Sequence, residues 1–469
     1  MTRRGPVVVV GDTLLDRDVD GVVERLCPDA PVPVLDEQAD TERPGGAGLA
    51  ALLAAGQGRE VVLVTALAGD AGGARLSRLL AGVEVHALAL TGPTPEKIRL
   101  RAGGRTLLRL DRGGAGGRCG EPARPALAAL RDAAVILVSD YGRGVARQPA
   151  LRAALAATAA PVVWDPHPRG PVPIRNTRLA TPNEAEVRHL AGYAGRDPLA
   201  TAHRGGEVLR QRWRAAAVAV TMGERGALLC HAGPTPLVAP APRRADGDTC
   251  GAGDAFAVTA ALAIADGAPV TEAVPEAVTR ATAYVAAGGA RAALAGAPDP
   301  AGAAWSAGEP ADAGGVPAAA GLVARVRARG GRVVATGGCF DLLHAGHVAT
   351  LQAARRLGDC LVVCLNSDAS VARLKGPSRP VNHQDDRRRV LAALECVDAV
   401  VVFDEPTPYA VLSWLRPDVW VKGADYADRG LPEAELLRRW EGQAVLVPYL
   451  AGRSTTALVA ARNGDRGKR

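Results

Sequence analysis

Short apolar runs rich in β-branched residues alternate along the chain with longer stretches rich in alanine and leucine. Five such runs precede residue 298, at 7–10, 61–65, 135–139, 162–165 and 217–221. Strands that alternate with helices are typical of a largely parallel sheet covered by helices on both faces. The first 298 residues are therefore predicted to form a doubly wound α/β domain.

The alternation stops at residues 295–320, a stretch rich in Ala, Gly and Pro without apolar periodicity. This composition is typical of an interdomain linker, which we place at 299–320. Apolar runs then resume at 333–336, 360–366, 399–403, 419–422 and 444–447, with helical stretches that begin near 344, 385 and 454. Residues 321–469 are therefore predicted to form a second, smaller, Rossmann-like α/β domain.

The length and composition are those of a soluble protein with more than one domain. A chain of 469 residues is too long for one hydrophobic core. No apolar stretch reaches the roughly 18–20 residues of a membrane span, and the first apolar run is too short for a secretion signal. Eight scattered cysteines without a CxxC pair indicate reduced thiols. We therefore expect a cytoplasmic protein that does not bind membranes.

The net charge of +7 raises the question of an acidic partner. The arginines are spread along the chain without interleaved aromatic residues, so nucleic acid is not expected, and small acidic substrates such as phosphates are favoured. Lysine is rare, occurring only at positions 97, 375, 422 and 468. A lysine inside a motif is therefore informative, because ammonium and guanidinium groups bind phosphate differently.

The segment DTCGAGDAF, residues 248–256, precedes an apolar helical run. Gly251, Ala252 and Gly253 would present N–H groups at the positive end of a helix dipole, which suits a phosphoryl group. Asp254 follows in the first turn, where it could take a proton from an attacking hydroxyl. The alternative is an ordinary helix entry with an aspartate near its start, and this motif alone leaves both interpretations open.

Other segments favour the phosphoryl-transfer interpretation. Asn183 and Glu186, three residues apart after a strand, suit a hydrated magnesium ion beside phosphates. The glycines of VTMGERG, residues 220–226, would let a nucleotide approach the backbone. The segments 11–16 and 44–48 combine carboxylates with glycine-permitted close approach, as a polyhydroxylated ligand requires.

A second chemical motif, GGCFDLLHAGH at residues 337–347, opens the smaller domain. Zinc is not expected there, because no further Cys or His pair completes a closed ligand set. Packing of two histidines at a helix start is the plainer alternative. His344 and His347 directly after the first strand of a parallel sheet would instead face the crevice where such folds bind ligands, and would suit a polyphosphate.

The motifs of the first domain, in their order and spacing, resemble the ribokinase-like (PfkB) sugar kinases over residues 5–295. The resemblance implies Asp254 as the catalytic base and Gly251, Ala252 and Gly253 as the anion hole. It implies that ATP is bound by Asn183, Glu184, Ala185, Glu186, Thr221, Gly223 and Gly226, with Glu186 holding Mg2+ indirectly. It implies that the sugar is bound by Asp12, Asp16, Gly45, Gly46 and Asp140, and that Lys97 and Arg99 grip the phosphate already on the substrate.

The motifs of the second domain resemble the cytidylyltransferase-like nucleotidyltransferases over about residues 332–460. The resemblance implies direct displacement at the α-phosphate of a nucleotide, without a covalent intermediate, and assigns catalysis to His344, His347 and Lys375. It implies that the nucleotide is bound by Thr336, Gly337, Phe340, Asp341, Arg379, Lys422, Ser454, Thr455 and Thr456. Asp341 is expected mainly to shape the turn.

Together the two halves are most similar to the bifunctional heptose 7-phosphate kinase/heptose 1-phosphate adenylyltransferases. This family phosphorylates D-glycero-β-D-manno-heptose 7-phosphate at O1 and converts heptose 1-phosphate to ADP-heptose, a precursor of lipopolysaccharide core, with release of pyrophosphate. A separate phosphatase must act between the two steps, since neither domain has a phosphatase motif. The resemblance also implies a homodimer.

Two positions depart from the family pattern. Leu49 stands where the family usually has an asparagine, which predicts weaker sugar binding, a changed sugar or a compensating contact nearby. Gly338 stands where relatives often have an asparagine, a milder change. Three alternatives therefore stay open: another phosphosugar, CTP in place of ATP, or one domain reduced to a binding or regulatory module.

Overall fold

The computed structural model describes residues 5–113, 117–195, 197–233, 235–245, 247–294, 315–426 and 430–448. These residues form two compact units. The larger unit is built from residues within 1–194, 204–221 and 243–300, and the smaller one from residues within 195–203, 222–242 and 301–469. The predicted linker, 299–320, lies outside the described residues up to position 314, and a helix begins at Gly315 within its last part.

The main sheet of the larger unit is parallel, as predicted. Its strand order is β11-β10-β9-β8-β1-β4-β5, and β1 is central, with β4 and β8 as its parallel neighbours. The four valines of β1 are buried because both faces of a parallel sheet are covered. The bounds are β1 Val7–Gly11, β4 Val61–Ala68, β5 Glu84–Leu90, β8 Val135–Ser139, β9 Val162–Asp165, β10 Leu179–Ala180 and β11 Val218–Thr221.

A second, four-stranded sheet in the larger unit has the order β3-β2-β6-β7. Its bounds are β2 Thr13–Leu26, β3 Pro33–Gly46, β6 Glu96–Ala102 and β7 Arg105–Arg112. The apolar pattern does not predict this sheet, because charged residues occupy many of its positions. Asp16, Asp18 and Asp20 alternate along β2 and therefore share one face of the strand.

Helices occur in the larger unit and in the segments that join its strands. They are α1 Ala47–Gly56, α2 Ala71–Leu79, α3 Arg124–Asp132, α4 Pro149–Ala157, α5 Glu184–Ala191, α6 Pro198–Trp213, α7 Ala252–Ala265, α8 Val270–Ala286 and α9 Gly289–Leu294. The helix α7 is apolar on all sides and almost wholly buried, as expected of a helix inside a large unit. Its buried position fixes the direction of the GAGD turn at its start.

The smaller unit contains a parallel sheet of order β16-β15-β14-β17-β18, which confirms the predicted doubly wound pattern. Its bounds are β14 Val333–Gly338, β15 Cys360–Asn366, β16 Ala399–Phe403, β17 Val419–Gly423 and β18 Gln443–Val447. An antiparallel hairpin of β12 Ala227–Cys230 and β13 Leu237–Ala239 also belongs to this unit. The helices are α10 Gly315–Ala328, α11 Ala345–Arg355, α12 Asp368–Lys375, α13 Gln384–Ala392, α14 Tyr409–Leu415 and α15 Glu433–Leu437.

Short 3₁₀ turns lie at Val145–Arg147, Gly223–Arg225, Ala424–Tyr426 and Arg438–Trp440. The closing helix predicted from about residue 454 lies outside the described residues. Among the described helices, none combines the length and apolar composition that crossing a bilayer would require.

Candidate active sites

The first candidate site is built around the N-terminus of α7. Gly251 precedes the helix with φ of 81°, a left-handed conformation that favours glycine, and a Cβ at this position would overlap the Tyr284 hydroxyl. No described side chain caps this helix. The Ala252 N–H donates to the Thr249 carbonyl over 3.1 Å, so this member of the predicted anion hole is already engaged within the turn.

Asp254 lies in the first turn of α7 and is buried. The Tyr141 hydroxyl donates to its carboxylate, at 2.9 Å from Oδ2 and 3.1 Å from Oδ1. Burial raises the pKa of Asp254 to about 7, although the Tyr141 hydrogen bond and the Lys97 charge oppose that rise. A carboxylate with a pKa near neutrality is suited to accept a proton from a hydroxyl and release it again.

Asp12, at the end of β1, anchors the segment that carries Tyr141. Its carboxylate accepts hydrogen bonds from the backbone N–H groups of Tyr141, Arg143 and Val145, over 3.1, 2.9 and 3.0 Å. Its oxygens thus have partners within the protein, and its geometry is that of a residue that positions a loop. Gly46, which has φ of 62°, lies against the Asp12 backbone carbonyl.

The predicted sugar residue Asp16 lies on β2 beside Gly45 and Arg99. A Cβ at Gly45 would overlap the Asp16 carboxylate, so only glycine fits there. Arg99 Nη1 lies 3.0 Å from Asp16 Oδ1 and 3.6 Å from Asp18 Oδ1, and Arg99 Nη2 lies 3.2 Å from Cys250 Sγ. The Arg99 charge is therefore already neutralised by carboxylates.

Leu49, the departure from the family pattern, is a core residue. Its side chain is 1% exposed and packs with Ala255, Tyr284, Val285 and Ala290. The Tyr284 hydroxyl donates to the Cys250 carbonyl over 2.9 Å. The leucine thus contributes to an apolar support beneath the turn that enters α7.

The predicted ATP and magnesium segment begins α5. Asn183 and Glu186 form a capping box, in which Asn183 Oδ1 accepts from the Glu186 N–H over 3.0 Å and Glu186 Oε2 accepts from the Asn183 N–H over 2.8 Å. Glu184 and Ala185 lie between them in the first turn. Burial raises the pKa of Glu186 to about 7. The capping box therefore holds one carboxylate oxygen and leaves the other available.

Two further carboxylates end neighbouring strands of the main sheet. Burial raises the pKa of Asp140 to about 7 and that of Asp165 well above its usual range, and the charges of Glu186 and Asp254 raise the Asp165 pKa further. Thr181 Oγ1 donates to Asp165 over 2.9 Å. Asp165 is thus close to Glu186, Asp254 and Asp140, of which Asp140 and Asp254 are buried. These four acids collect at the carboxyl ends of the strands, where α/β folds bind ligands.

The remaining predicted ATP residues lie at the end of β11 and directly after it. Thr221 forms an isolated parallel bridge with Asn183. Gly223 and Gly226 have φ of 59° and 89°, and the Met222 N–H donates to the Gly226 carbonyl over 2.8 Å, which closes a tight turn.

The second candidate site is a cavity of about 700 Å³ in the smaller unit. It is lined by most of the residues predicted there, including Thr336, Gly337, Phe340, Asp341, His344, His347, Lys375 and Lys422. Its volume is within the usual range for a small-molecule site. Ser454, Thr455 and Thr456, the other predicted nucleotide residues, lie outside the described residues.

The two histidines of this cavity stack on each other at the start of α11. Their ring centroids are 3.9 Å apart, and His344 Nδ1 accepts from the His347 N–H over 3.4 Å as the helix cap. Burial, together with the nearby His344 and Lys375 charges, lowers the pKa of His347 to about 4. Among the described residues, His347 Nδ1 has no hydrogen-bond partner. His347 is therefore a neutral imidazole in the lining of the cavity, and its Nδ1 is buried.

Asp341 and Arg379 tie a loop to the histidine turn. The Asp341 carboxylate is wholly buried, pairs with the Arg379 guanidinium and accepts from the N–H groups of Val381 and Asn382 over 2.7 and 3.2 Å. Asp341 thus holds the loop at 379–382 against the segment that carries the histidines. Arg379, predicted to contact the nucleotide, has its Nε occupied by that carboxylate.

The lysines of the second site lie at its rim and floor. Lys375, the last residue of α12, is exposed. Lys422 Nζ donates to the Gly337 carbonyl over 2.6 Å and lies over the Trp420 and Tyr426 rings, at 5.0 and 5.3 Å from their centroids. Lys422 is thus fixed by the strand end and by aromatic faces.

Comparison with known proteins agrees with this two-site arrangement. Residues 5–295 match the model of the pfkB family of carbohydrate kinases, and residues 335–447 match the cytidylyltransferase-like family. The bifunctional protein HldE of Streptomyces coelicolor is 58% identical over 98% of this chain and 97% of its own length. The bifunctional protein HldE of Azorhizobium caulinodans is 38% identical over 98% of both chains.

This chain belongs to the bifunctional HldE family. It is accordingly an ATP-using enzyme in which a carbohydrate kinase is fused to a nucleotidyltransferase. The crystal structure of Escherichia coli phosphofructokinase-2 in complex with potassium superposes with a TM-score of 0.51 and 19% identity, covering 63% of this chain and 98% of that one. The likeness supports the ribokinase-like fold of the kinase half.

Two residues of the candidate kinase site, Tyr141 and Asp165, were not predicted from the sequence. Tyr141 follows Asp140 in the segment SDYGRG, and Asp165 precedes a proline at the end of β9. Both positions follow strand ends of a parallel sheet, which is the signal that could have identified them. An aromatic residue beside a strand-end carboxylate is otherwise too common to stand out in a sequence.

Proposed function

We propose that this HldE-family enzyme phosphorylates D-glycero-β-D-manno-heptose 7-phosphate at O1 and adenylates heptose 1-phosphate to ADP-heptose with release of pyrophosphate. The observation that carries the kinase half is the buried Asp254 carboxylate, hydrogen-bonded to Tyr141 at the N-terminus of α7. The transferase half rests on the paired histidines of the 700 Å³ cavity.

In the kinase reaction, Asp254 takes the proton of the O1 hydroxyl as this oxygen attacks the γ-phosphate of ATP. The N–H groups of Gly251 and Gly253 at the start of α7 stabilise the charge on the phosphoryl group, because the helix dipole favours an anion there. Asp16 and Gly45 hold the sugar. Formation of the O1–P bond and release of ADP complete the step.

Magnesium fits the acidic residues of the kinase half. The ion prefers oxygen ligands and commonly keeps several waters, and it would neutralise the phosphates of ATP. Glu186, steadied by its capping box with Asn183, would hold the hydrated ion through its second oxygen. Burial and the Glu186 charge raise the pKa of Asp165, so a cation placed near these two carboxylates would stabilise their ionised forms.

In the transferase reaction, a phosphate oxygen of the sugar 1-phosphate attacks the α-phosphate of ATP, and the bond to the bridging oxygen of pyrophosphate breaks. His344, His347 and Lys375 stabilise the charge that develops on that oxygen and on the α-phosphate. His347 acts as a neutral hydrogen-bonding group, because its pKa is lowered to about 4. Lys422 positions the nucleotide from the strand end.

The two reactions are not consecutive. The kinase product carries phosphates at both ends, and a separate phosphatase must remove the 7-phosphate before adenylation. We propose in addition that the enzyme acts in the cytoplasm as a homodimer and supplies ADP-heptose for lipopolysaccharide core or other heptose-containing glycans.

The test is mass spectrometry of the products formed from heptose 7-phosphate, ATP and Mg2+, with and without an added bisphosphate phosphatase. We expect heptose bisphosphate without the phosphatase and ADP-heptose with it. Replacing ATP by CTP in the second step tests the nucleotide. Absence of bisphosphate, with Asp254→Asn making no difference, would contradict the kinase assignment.

A further inference from the structure

The connection between β17 and β18 supplies one wall of the 700 Å³ cavity in the smaller unit. The residues at 430–433 belong to this wall. Of the described residues in the whole lining, Asp341 and Glu433 carry a carboxylate. Asp341 already pairs with Arg379 and accepts two backbone N–H groups. Glu433 is therefore the carboxylate of the cavity that the proposed reaction leaves without a role.

One oxygen of Glu433 is buried without a partner. Its Oε2 is shielded from solvent, and among the described residues it has no hydrogen-bond partner. Leaving a buried acceptor unsatisfied costs free energy, and more when the group is charged, so native structures rarely keep one. An unsatisfied carboxylate oxygen on a residue that lines a cavity therefore indicates a group that binds a ligand.

The helix dipole offers a plainer explanation for an acidic residue at this position. Glu433 is the first residue of α15, and a carboxylate in the first turn of a helix is stabilised by the dipole. Glu435, in the same turn, is exposed and has this advantage as well. Leu431 and Leu437, on either side, are buried and anchor the segment. The dipole thus explains an acid here, but it does not explain a buried oxygen without a partner.

The charges around the cavity limit what Glu433 can bind. The sheet order places β14, which leads into the histidine turn, between β15 and β17. Lys375 ends α12 after β15, Lys422 lies near the end of β17, and both line the cavity. These cations suit the phosphates of the substrates, which a carboxylate would repel. Glu433 is therefore suited to an uncharged hydrogen-bond donor on a substrate.

Hydroxyl groups meet this requirement. A carboxylate has two accepting oxygens, so it can accept from two hydroxyl groups on neighbouring carbons. Both substrates of the proposed transferase reaction carry such a pair, on the ribose of the nucleotide and on the ring of the sugar 1-phosphate. The amino group of adenine is another uncharged donor, which the experiment below separates from the hydroxyl groups.

We propose that Glu433 binds a pair of neighbouring hydroxyl groups on a substrate of the transferase and thereby contributes to substrate specificity. This inference rests on the proposed function. The substrate hydroxyl groups supply the partner that Oε2 lacks among the described residues. Because Glu433 does not contact the reacting phosphates, it acts on the choice of substrate and not on the displacement itself.

The test compares full-length wild type with Glu433→Ala and Glu433→Gln in the adenylation of heptose 1-phosphate. If the hydroxyl pair is that of the ribose, wild type should use 2′-deoxyATP or 3′-deoxyATP about 10- to 100-fold less efficiently than ATP, because a hydrogen bond to a charged group is lost. Glu433→Ala should then use ATP as poorly as the deoxynucleotide. Glu433→Gln, which keeps an accepting oxygen, should lie between wild type and Glu433→Ala.

The same measurements identify a hydroxyl pair on the sugar. In that case Glu433→Ala should raise the KM for heptose 1-phosphate about 10- to 100-fold and keep the wild-type preference for ATP over the deoxynucleotides. Inosine triphosphate, which lacks the amino group of the base, is the third arm. The inference is overturned if Glu433→Ala loses only the preference for ATP over inosine triphosphate, or if no preference and no KM changes.

Thermal stability separates substrate binding from a structural role. Removal of a carboxylate without a partner should leave the melting temperature of Glu433→Gln unchanged or slightly higher. A lower melting temperature, with an equal loss of activity on every substrate or with no loss, would show a role in the helix and overturn the inference. Glu435→Gln, at the exposed acid of the same turn, is the matched control and should adenylate as wild type does. Kinase activity of each variant checks that the chain is folded.

Failure of the proposed substrates is distinguishable from failure of this inference. If wild type uses CTP or another sugar 1-phosphate, the same variants are tested on that substrate, with 2′-deoxyCTP as the matched nucleotide. Glu433 is then supported or overturned by the preference for hydroxyl groups measured there, whichever base and sugar the enzyme takes.

Discussion

The Tyr141 hydroxyl donates a hydrogen bond to the Asp254 carboxylate, with 2.9 Å between the phenolic oxygen and Oδ2. The two residues are 113 positions apart, and each reaches the pair from the end of a different element. This bond favours the ionised carboxylate and therefore offsets part of the rise in pKa that burial causes.

Removing that hydroxyl should shift the pH dependence of the kinase reaction. The base must be ionised, so activity should fall as pH falls through about 7, the pKa of Asp254. Tyr141→Phe removes a bond to the charged form and raises this pKa, so the acidic limb should move to higher pH, by up to about one unit. The profile of kcat/KM against pH measures it. An unmoved limb would contradict the pairing, and the transferase profile of the same preparation is the control.

Leu49→Asn should destabilise the protein rather than restore a family contact. Leu49 is buried in an apolar cluster, and an amide there would lose that packing and its own hydrogen bonds to water. We expect a loss of about 2–4 kcal/mol in the free energy of unfolding, measured with urea. The exposed Leu79→Asn should change it by less than about 0.5 kcal/mol. An unchanged stability with a lower KM for the sugar would mean that position 49 faces the substrate.

The alternation of apolar runs with helical stretches predicted both parallel sheets, although it missed strands β5 and β10 of the larger one. Each predicted run of the smaller domain corresponds to a strand, because strands buried on both faces require continuous apolar sequence. The four-stranded sheet of β2, β3, β6 and β7 was not predicted. Its stability depends on pairs such as Arg43 with Asp18, which join residues 25 positions apart and have no local pattern.

The candidate sites could be located from motifs, but the partners of individual side chains could not. The sequence alone could not indicate that Asp12 binds backbone N–H groups, or that Arg99 is neutralised by Asp16. Both contacts depend on how separate strands align in register. At Leu49 the sequence suggested a change in the sugar site, because the family usually has an asparagine there. In the structure this leucine packs in an apolar cluster.

Asp341→Asn should selectively impair the transferase. The substitution removes the charge from a wholly buried carboxylate that pairs with Arg379 and accepts two backbone N–H groups, which leaves the guanidinium without its partner. We expect a destabilisation of about 3–5 kcal/mol and loss of nucleotidyl transfer, with kinase activity retained. Asp385→Asn, at an exposed carboxylate on α13, is the matched control. Differential scanning calorimetry and both activity assays measure the effect, and a fully active, equally stable variant would show that the loop needs no anchor.

The two chemistries should be separable by single substitutions. His347→Ala removes an imidazole from the 700 Å³ cavity and should lower nucleotidyl transfer about 100- to 1,000-fold, because a group that stabilises developing charge is lost. Asp254→Asn removes the base at α7 and should abolish phosphorylation at O1. Each variant should retain the other activity, measured separately as ADP-heptose from heptose 1-phosphate and as bisphosphate from heptose 7-phosphate.

Either variant that lost both activities while keeping its circular dichroism spectrum and melting temperature would contradict the assignment of one reaction to each site. If His347→Ala adenylated heptose 1-phosphate as well as wild type does, the histidine pair would have only a structural role, as a packed helix cap.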